Sequence, residues 1–342
     1  MSAAAVDRAL AILVVALAAT GLVSLRAGNP DEGWLFLVHG LLAGALALTI
    51  GRKLRHSVPR AVVGRRVVRL ALGLLVTLVA VAALSGGYLW VASPEIVWID
   101  VGTLGRWTLL TLHAWAGLVL LPLVLVHVLP KRWRLLRPRR RVITGQRPAP
   151  QVTRRALLAG GVLAAAGTGL WATTAAVELV AGASRRFTGS RWLPAGALPI
   201  PTTFFGEPVP DIDDASWRLR VEGAVERPMV FDLASLRSVG DDETRAVLDC
   251  TSGWAVDVIW RGVALSSVLE AAGVHPTARR VEVRSVTGWA TSIDIAEARR
   301  AVLAWSVGGR PLPLANGAPL RLVLPDHRGV EWVKWVGTIS VL

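Results

Sequence analysis

The sequence predicts two parts of different fold class: an all-α bundle of five transmembrane helices, followed by an α+β domain. Charge separates the two parts, since residues 1–180 carry 20 Lys and Arg against 6 Asp and Glu, whereas residues 181–342 carry 18 of each. Long apolar runs fill the first part, and short strand-like runs alternate with loops in the second. We place the predicted domains at 1–150, 151–182 and 183–342.

Five segments are apolar enough and long enough to cross a bilayer, which requires about 20 residues. In chain order they are Ala9–Leu25, Trp34–Gly51, Leu70–Ala92, Trp107–Leu129 and Ala156–Val180. A net charge of +14 often indicates a nucleic-acid partner. Here the basic residues lie between apolar runs and not on one soluble face, so we expect a membrane partner and no nucleic acid.

The linkers between these segments predict the orientation of the bundle. The linkers 52–69 and 131–155 together hold 17 Lys and Arg and no acid, whereas the linkers 26–33 and 93–106 hold two Arg and four acids. Because short basic loops stay in the cytoplasm, the N-terminus is predicted to lie inside. We expect a multi-pass protein of a bacterial cell membrane with an extracytoplasmic C-terminal domain.

The fifth segment follows the twin arginines Arg154 and Arg155. Such a pair before a modest apolar run is typical of an export signal for domains that fold before they cross the membrane. The ordinary excess of positive charge on the cytoplasmic side explains the two arginines equally well.

Four of the six histidines lie in the predicted bundle, where ionisable residues are costly and usually functional. His113 and His127 are separated by 14 residues, which places them on one face of a helix and about 21 Å apart along its axis. The parallel second segment puts His39 level with His113, and His56 level with His127. Each pair is a candidate ligand set for one b-type haem. Hydrogen bonding between helices, and solvation for His56, are the structural alternatives.

This four-helix arrangement resembles the di-haem cytochrome b membrane subunits that exchange electrons with quinones. The resemblance implies one or two haem b groups and a quinone or quinol partner.

The second part holds Cys250, the sole cysteine of the chain, in the stretch "VLDCTSGWAVDVIWRG". A single cysteine cannot form an internal disulfide. The side chain is therefore either a small buried hydrophobic group or a metal ligand or nucleophile.

Strand-like runs such as "WRLRVEGAV" and "RRVEVRSV" surround this stretch, and two helices are predicted in "LSSVLEAAGV" and "DIAEARRAV". The pattern has no βαβ repeat and no glycine-rich phosphate loop, which favours the α+β class.

Three motifs in this part resemble the molybdopterin domain of the sulfite oxidase family. They are "CTSGWAVDVIWRG", "WRLRVEGAVERPMVFDLASL" and "ANGAPLRLVLPDHRGVEWVKWVGTISV". The spacing from Cys250 to Trp254, Trp260 and Gly262 is similar to that of the methionine sulfoxide reductase branch. The sulfite oxidases instead carry an arginine-bearing stretch after their cysteine. Because the chain stops after "TISVL", we expect no immunoglobulin-like dimerisation domain of the kind that sulfite oxidases carry.

The resemblance implies a Mo-molybdopterin cofactor with Cys250 as the thiolate ligand of molybdenum. It further implies contacts to the pterin or its phosphate from Thr203, Phe204, Ser285, Asn316, Arg321, Trp332, Val333 and Lys334. The loop that holds Thr203 and Phe204 departs from the asparagine-containing loop of the reductase. Arg321 and Lys334 as solvated strand residues, and Trp254 and Trp260 as plain core residues, are the alternatives.

The function that follows is a molybdenum-dependent oxidoreductase that passes electrons between haem b or quinol and an extracytoplasmic molybdenum centre. The resemblance implies oxygen-atom transfer from sulfoxides such as methionine sulfoxide. One alternative is oxidation of a small substrate such as sulfite, with Arg261, His327 and Arg328 as candidate cations for binding it. A second alternative is a non-catalytic, membrane-anchored binding module.

Overall fold

The computed structural model describes residues 3–63, 67–93, 95–102, 106–136, 185–202 and 206–342, with ten isolated positions between 158 and 180. The contacts divide the chain into two compact units. The helical unit comprises Met1–Ser24, Gly33–Trp98 and Trp107–Ala183, and the β-rich unit comprises Leu25–Glu32, Ile99–Arg106 and Ser184–Leu342. The domain bounds drawn from the sequence stay predictions.

Four long helices form the described part of the helical unit. They are α1 (Ala3–Ser24), α2 (Gly33–Val63), α3 (Val67–Ala92) and α4 (Leu109–Leu136). Each overlaps a span of 19 to 26 residues that is long and apolar enough to cross a membrane, and the second span begins at Pro30, just before α2. These helices fit a membrane protein. The predicted fifth helix, Ala156–Val180, is not confirmed, because most of it lies outside the described residues.

One residue from each helix contributes to the buried centre of the bundle. Val14, Leu46, Ala80 and Leu120 form this cluster, and partly buried Leu, Ile and Val side chains pack around it. Many other large apolar side chains of the four helices, such as Leu78 and Val126, are exposed. Lipid tails are as apolar as these side chains, so their exposure to a bilayer costs no free energy. The exposed apolar surface therefore agrees with helices that are long enough to cross a membrane.

Two sheets build the β-rich unit. The six-stranded sheet contains β3 (Arg191–Trp192), β6 (Asp242–Asp249), β7 (Trp254–Ala264), β10 (Val302–Val307), β11 (Arg310–Pro311) and β12 (Arg321–Val323). The five-stranded sheet has the order β5 (Met229–Phe231), β4 (Leu219–Gly223), β13 (Val336–Val341), β8 (Arg280–Ser285) and β9 (Ala290–Asp294). The pairs are antiparallel except for β13 with β4 and β3 with β7.

The remaining strands and helices are short. They are β1 (Trp98–Asp100), β2 (Arg106–Thr108), α5 (Leu233–Val239), α6 (Leu265–Ala272) and α7 (Ile295–Ala298), with 3-10 turns at Pro30–Glu32 and Leu314–Asn316. The helix predicted in "LSSVLEAAGV" is present as α6. The helix predicted in "DIAEARRAV" is only one turn long, because the chain enters β10 at Val302 and there pairs with β7 and β12.

The hairpin of β6 and β7 positions the functional site. Its register pairs Asp242 with Gly262 at one end and Asp249 with Ala255 at the other. The close approach of β10 at Gly262 requires a residue without a side chain, because a Cβ there would lie 2.0 Å from the carbonyl oxygen of Leu303. The turn of the hairpin is the four-residue segment 250–253 that begins with the sole cysteine.

Candidate molybdopterin cleft and histidine pair

A cleft opens at the turn of the β6–β7 hairpin. Its empty volume is about 670 Å³, part of it open to solvent. The residues that line it come from several distant parts of the β-rich unit: Ile200, Thr202, Glu207, Leu248, Cys250, Thr251, Trp254, Trp289, Asn316, Arg321, Gly329, Val330, Trp332 and Lys334. Five of the residues predicted from the sequence to form the site therefore meet in one cleft: Cys250, Asn316, Arg321, Trp332 and Lys334.

The thiol of Cys250 is held in this cleft by a tight turn. The amide of Cys250 donates to the carbonyl of Trp254 at 2.8 Å, and the amide of Gly253 donates back to the carbonyl of Cys250 at 2.8 Å. Gly253 has a φ of +97°, which favours glycine. The hydroxyl of Thr202 lies 3.2 Å from the Sγ atom, and the amide of Ser252 donates to it at 3.4 Å. A hydroxyl and an amide thus contact the sulfur.

Arg321 supplies a fully buried guanidinium to the cleft. One of its terminal nitrogens donates to the carbonyl of Asn316 at 2.6 Å. The guanidinium carbon lies 5.7 Å from the ring centroid of Trp260 and 6.0 Å from that of Trp332. Burial lowers the pKa of Arg321 to about 10, while the neighbouring Cys250 acts in the opposite direction. The side chain is not a solvated strand residue.

Lys334 places a second cation in the same cleft. Its ammonium donates to the carbonyl of Thr202 at 2.7 Å. Burial, together with the charge of Arg321, lowers the pKa of Lys334 to about 8, whereas Cys250 and Glu207 raise it. Because burial disfavours the charged form of Lys334, an anion bound beside its ammonium would stabilise the site.

The buried side chain of Asn316 lies at the end of the 3-10 turn and donates to the carbonyl of Pro199 at 3.2 Å. The next residue, Gly317, has a φ of +115°, and a Cβ there would lie 3.1 Å from the Cα of Lys334. This close contact brings the Asn316 and Lys334 segments together, although 18 positions separate them in the chain.

The other predicted contacts are placed differently. Ser285 is buried, and its hydroxyl lies 2.8 Å from that of Thr287, which in turn donates to Glu207. Glu207 lines the cleft, but Ser285 does not. The amides of Trp332 and Val333 donate to the carbonyls of Gly329 and Glu331.

Two of the predicted cofactor contacts, Thr203 and Phe204, lie outside the described residues. Their neighbour Thr202 is described, and its hydroxyl and carbonyl contact Cys250 and Lys334.

Buried polar groups of the cleft test whether it fits an anionic cofactor. The Nε of Arg321 and the indole nitrogens of Trp254 and Trp332 are buried and have no hydrogen-bond partner among the described residues. Buried donors of this kind are rare and normally satisfied, so each one indicates a missing acceptor. With two cations and a thiol in the same cleft, the donors fit a pterin phosphate and a soft metal.

The helical unit brings together the predicted pair of His39 and His113. Their ring centroids are 5.9 Å apart and their planes are nearly perpendicular. The Nδ1 of His113 donates to the carbonyl of Ala83 at 2.6 Å. The hydroxyl of Thr20 lies 2.8 Å from the Nδ1 of His39. Because Nδ1 is hydrogen-bonded in both rings, Nε2 is the nitrogen available to ligate a metal.

The second histidine pair is described only in part. His127 lies on α4 and approaches α3, where a Cβ on Gly73 would lie 3.7 Å from its ring. His56 lies on α2, but its side chain is outside the described residues. This pair stays a prediction.

Sequence reasoning missed several residues of the cleft. Glu207, Trp289 and Thr202 line it, and the indole of Trp289 donates to the carbonyl of Val330 at 3.0 Å. Thr202 and Glu207 belong to the loop "PTTFFGE" (residues 201–207), which also holds Thr203 and Phe204, so this loop was the available signal for both. No motif points to Trp289.

Comparison with known proteins agrees with this geometry. Residues 206–342 match the family model described as "Oxidoreductase molybdopterin binding domain". A Bacillus subtilis (strain 168) protein named uncharacterized oxidoreductase YuiH is 31% identical over 131 residues, 37% of this chain and 66% of the relative. The Gluconobacter oxydans (strain 621H) protein named protein-methionine-sulfoxide reductase catalytic subunit MsrP is 29% identical over 146 residues, 37% of this chain and 47% of the relative.

A third relative, from Azospira oryzae, is named putative protein-methionine-sulfoxide reductase subunit YedZ1 and is 29% identical over 148 residues, 42% of this chain and 56% of the relative. The matches thus span from about half to about two thirds of these relatives' lengths. The fold and the cleft define an oxidoreductase domain that binds molybdopterin. Residues 206–342 of this chain belong to that family, within the sulfite oxidase group.

The buried lysine predicts an unusual pH dependence of stability in the cofactor-free full chain. Because the pKa of Lys334 is about 8 in the folded chain and 10.5 when solvated, folding releases a proton between these pH values, and stability rises across that window. Lys334→Met should therefore raise the free energy of unfolding at pH 7 by about 2 kcal/mol, and the gain should shrink as the pH approaches 10.5. Unfolding in detergent, followed by tryptophan fluorescence, measures both effects.

The control for this experiment is Arg220→Met, which removes an exposed cation from β4. It should leave the stability unchanged from pH 7 to 10.5. A Lys334→Met chain that is less stable than the parent at pH 7 would contradict the interpretation that burial of the Lys334 ammonium destabilises the cofactor-free chain.

Proposed function

We propose that the chain is a membrane-anchored molybdoenzyme that reduces sulfoxides such as methionine sulfoxide. The helical unit would hold one or two haem b groups and the cleft a molybdenum centre, and these groups would supply electron transfer from quinol and oxygen-atom transfer. The helical unit anchors the enzyme in a bacterial cell membrane with its N-terminus in the cytoplasm and the β-rich unit outside. The names of the Gluconobacter and Azospira relatives support this choice of substrate.

One observation carries the cofactor assignment: a thiol, two buried cations and three unsatisfied buried donors line the same cleft. When bound, the molybdenum cofactor supplies two-electron oxygen-atom transfer. Cys250 would hold the metal, since a soft thiolate suits it and a metal-bound thiol is deprotonated. Arg321 and Lys334 would hold the phosphate, and Asn316, whose carbonyl accepts from Arg321, would contact the pterin.

The remaining residues of the cleft control water and hydrogen bonding. The indoles of Trp254 and Trp332, with Leu248, form a largely apolar wall beside Cys250. Such a wall excludes water and strengthens the electrostatic interactions within the cleft. The hydroxyl of Thr202 and the amide of Ser252 contact the sulfur of Cys250 and orient it.

The charges of the cleft favour a neutral sulfoxide over sulfite. Three cations were candidates to bind sulfite, but none of them lines the cleft. Arg261 forms an exposed ion pair with Asp241, and His327 forms a partly buried contact with Glu331. Arg328 donates to the carbonyl of Cys250 from behind the turn. With Arg321 and Lys334 neutralised by a phosphate, the charge left on the cleft wall is the carboxylate of Glu207.

The proposal of a haem site rests on the His39 and His113 pair. Both imidazoles lie within spans that fit a bilayer, and both present Nε2 while Nδ1 is hydrogen-bonded. Gly87 and Gly21 lie against the two rings, where a Cβ would come within 3.0 Å and 3.4 Å of the imidazole atoms. Haem, when bound, supplies one-electron transfer.

Removal of the thiol tests the cofactor assignment. Cys250→Ser should abolish methionine sulfoxide reduction and lower the molybdenum content of the purified full chain, while its haem absorbance stays that of the parent. Metal analysis, visible spectra and turnover with a reduced quinol analogue measure the three quantities.

As a control for this change, Ser238→Ala alters an exposed residue of α5 and should change none of the three quantities. Full turnover in Cys250→Ser would refute the ligand assignment. A parent protein that carries neither molybdenum nor haem would instead indicate the anchored binding module.

Removal of an imidazole tests the haem assignment. His113→Ala should remove the haem held by the His39 and His113 pair, because iron would lose one of its two axial ligands. The Soret absorbance per protein should fall by about half if two haems are present and almost completely if there is one.

The matched control is His275→Ala, which removes an exposed imidazole of the β-rich unit. Its spectrum should equal that of the parent. An unchanged spectrum in His113→Ala would show that this pair only bonds the helices to one another.

A further inference from the structure

A fully buried carboxylate lies directly before the cysteine in the chain. Asp249 ends β6, and its side chain has no exposed surface. The hydroxyls of Ser190 and Thr188 donate to its two oxygens at 2.6 Å and 2.7 Å. A guanidinium nitrogen of Arg186 donates at 3.0 Å, and one of Arg328 lies 3.3 Å away.

This carboxylate is saturated with donors. Two ionised oxygens offer about four lone-pair positions. Three of these positions accept hydrogen bonds from Ser190, Thr188 and Arg186, and the guanidinium of Arg328 adds an ion pair. The hydrogen bond from Arg186 is of the strong, charge-assisted kind. Because the loss of any one partner would leave a buried group unsatisfied, the orientation of Asp249 is fixed.

The cluster is connected to the cysteine through Arg328. The same guanidinium nitrogen that faces Asp249 donates to the carbonyl of Cys250 at 3.1 Å, and Arg328 is only 3% exposed. The backbone adds a second connection, since the amide of Gly329 donates to the carbonyl of Asp249 at 2.7 Å. The carbonyl of Cys250 is thereby fixed by a cluster whose members differ from the groups that contact its sulfur, Thr202 and Ser252.

We infer that Asp249 is a positioning residue which, through Arg328, fixes the backbone of Cys250 and so the direction in which its thiolate points into the cleft. The inference rests on the proposed role of Cys250 as the molybdenum ligand. Partners that orient a metal ligand in this way alter metal affinity or activity by about 10- to 100-fold when they are changed. A purely structural role for Asp249 would affect only the yield and stability of the folded chain.

Two variants of the full-length holoenzyme separate these roles. Asp249→Asn removes the charge while keeping the shape of the side chain. Ser190→Ala is milder, because it removes one hydroxyl donor and leaves the carboxylate and both arginines in place. The readouts are molybdenum content, the Mo(V) electron paramagnetic resonance spectrum of reductively poised protein, and kcat and KM for methionine sulfoxide.

The inference predicts displaced g-values in both variants, with the larger displacement in Asp249→Asn. It also predicts a kcat that is about 10- to 100-fold lower in Asp249→Asn, with KM unchanged. If Asp249→Asn does not fold, the spectrum of Ser190→Ala decides. The matched control is Asp257→Asn, which breaks an exposed ion pair with Arg245 on the same hairpin and should reproduce the parent spectrum and kcat.

Parent g-values in the molybdenum-loaded variants that fold would overturn the inference and leave the proposed function standing. A parent chain without molybdenum would instead overturn the proposed function. The two failures are therefore distinguishable in one set of samples.

Discussion

The turn between β6 and β7 is the constraint on which the rest of the cleft depends. Antiparallel pairing from Asp242 to Asp249 brings the two strands to a four-residue connection, and this connection starts at Cys250. The left-handed backbone of Gly253 lets the turn close, and hydrogen bonds between Cys250, Gly253 and Trp254 fix it. The sulfur thus occupies a set position in the cleft wall before any cofactor binds.

Charge is the second organising feature of the cleft. Arg321 lies beside the indoles of Trp260 and Trp332, and the ammonium of Lys334 donates to the carbonyl of Thr202. Burial of two cations costs free energy, which the lowered pKa values of both residues reflect. Because no carboxylate of the described residues pairs with Arg321, an anionic ligand offsets that cost. Binding of an anionic cofactor would therefore recover part of the free energy that the burial of these two cations costs.

The amino-acid pattern was sufficient for the parts of the molecule that depend on local periodicity or on a contiguous motif. Four of the apolar spans and the strands near "WRLRVEGAV" and "RRVEVRSV" follow from such signals. The joint location of Cys250, Asn316, Arg321 and Lys334 was instead expected from the family resemblance. The pairing of His39 with His113 was expected from the parallel direction of their two segments.

The features that sequence reasoning missed depend on tertiary contacts. The donors to Asp249 come from residues 186–190 and from Arg328, about 60 and 80 positions away in opposite directions, so no local pattern joins them. The short helix at Ile295–Ala298 was predicted too long because strand pairing at Val302 outweighs helix propensity. The sequence made Arg328 a candidate to bind substrate, whereas its hydrogen bond to the carbonyl of Cys250 is visible only in the folded structure.

The direction of electron flow is tested most directly by the haem spectrum of the full chain in detergent. The protein is reduced without oxygen, freed of excess reductant and mixed with methionine sulfoxide. Reduction of a sulfoxide to a thioether and water consumes two electrons and two protons, so each sulfoxide should oxidise two haem equivalents. Sulfite added to the oxidised protein should leave the haem oxidised. Haem that stays reduced with methionine sulfoxide but becomes reduced with sulfite would contradict the account.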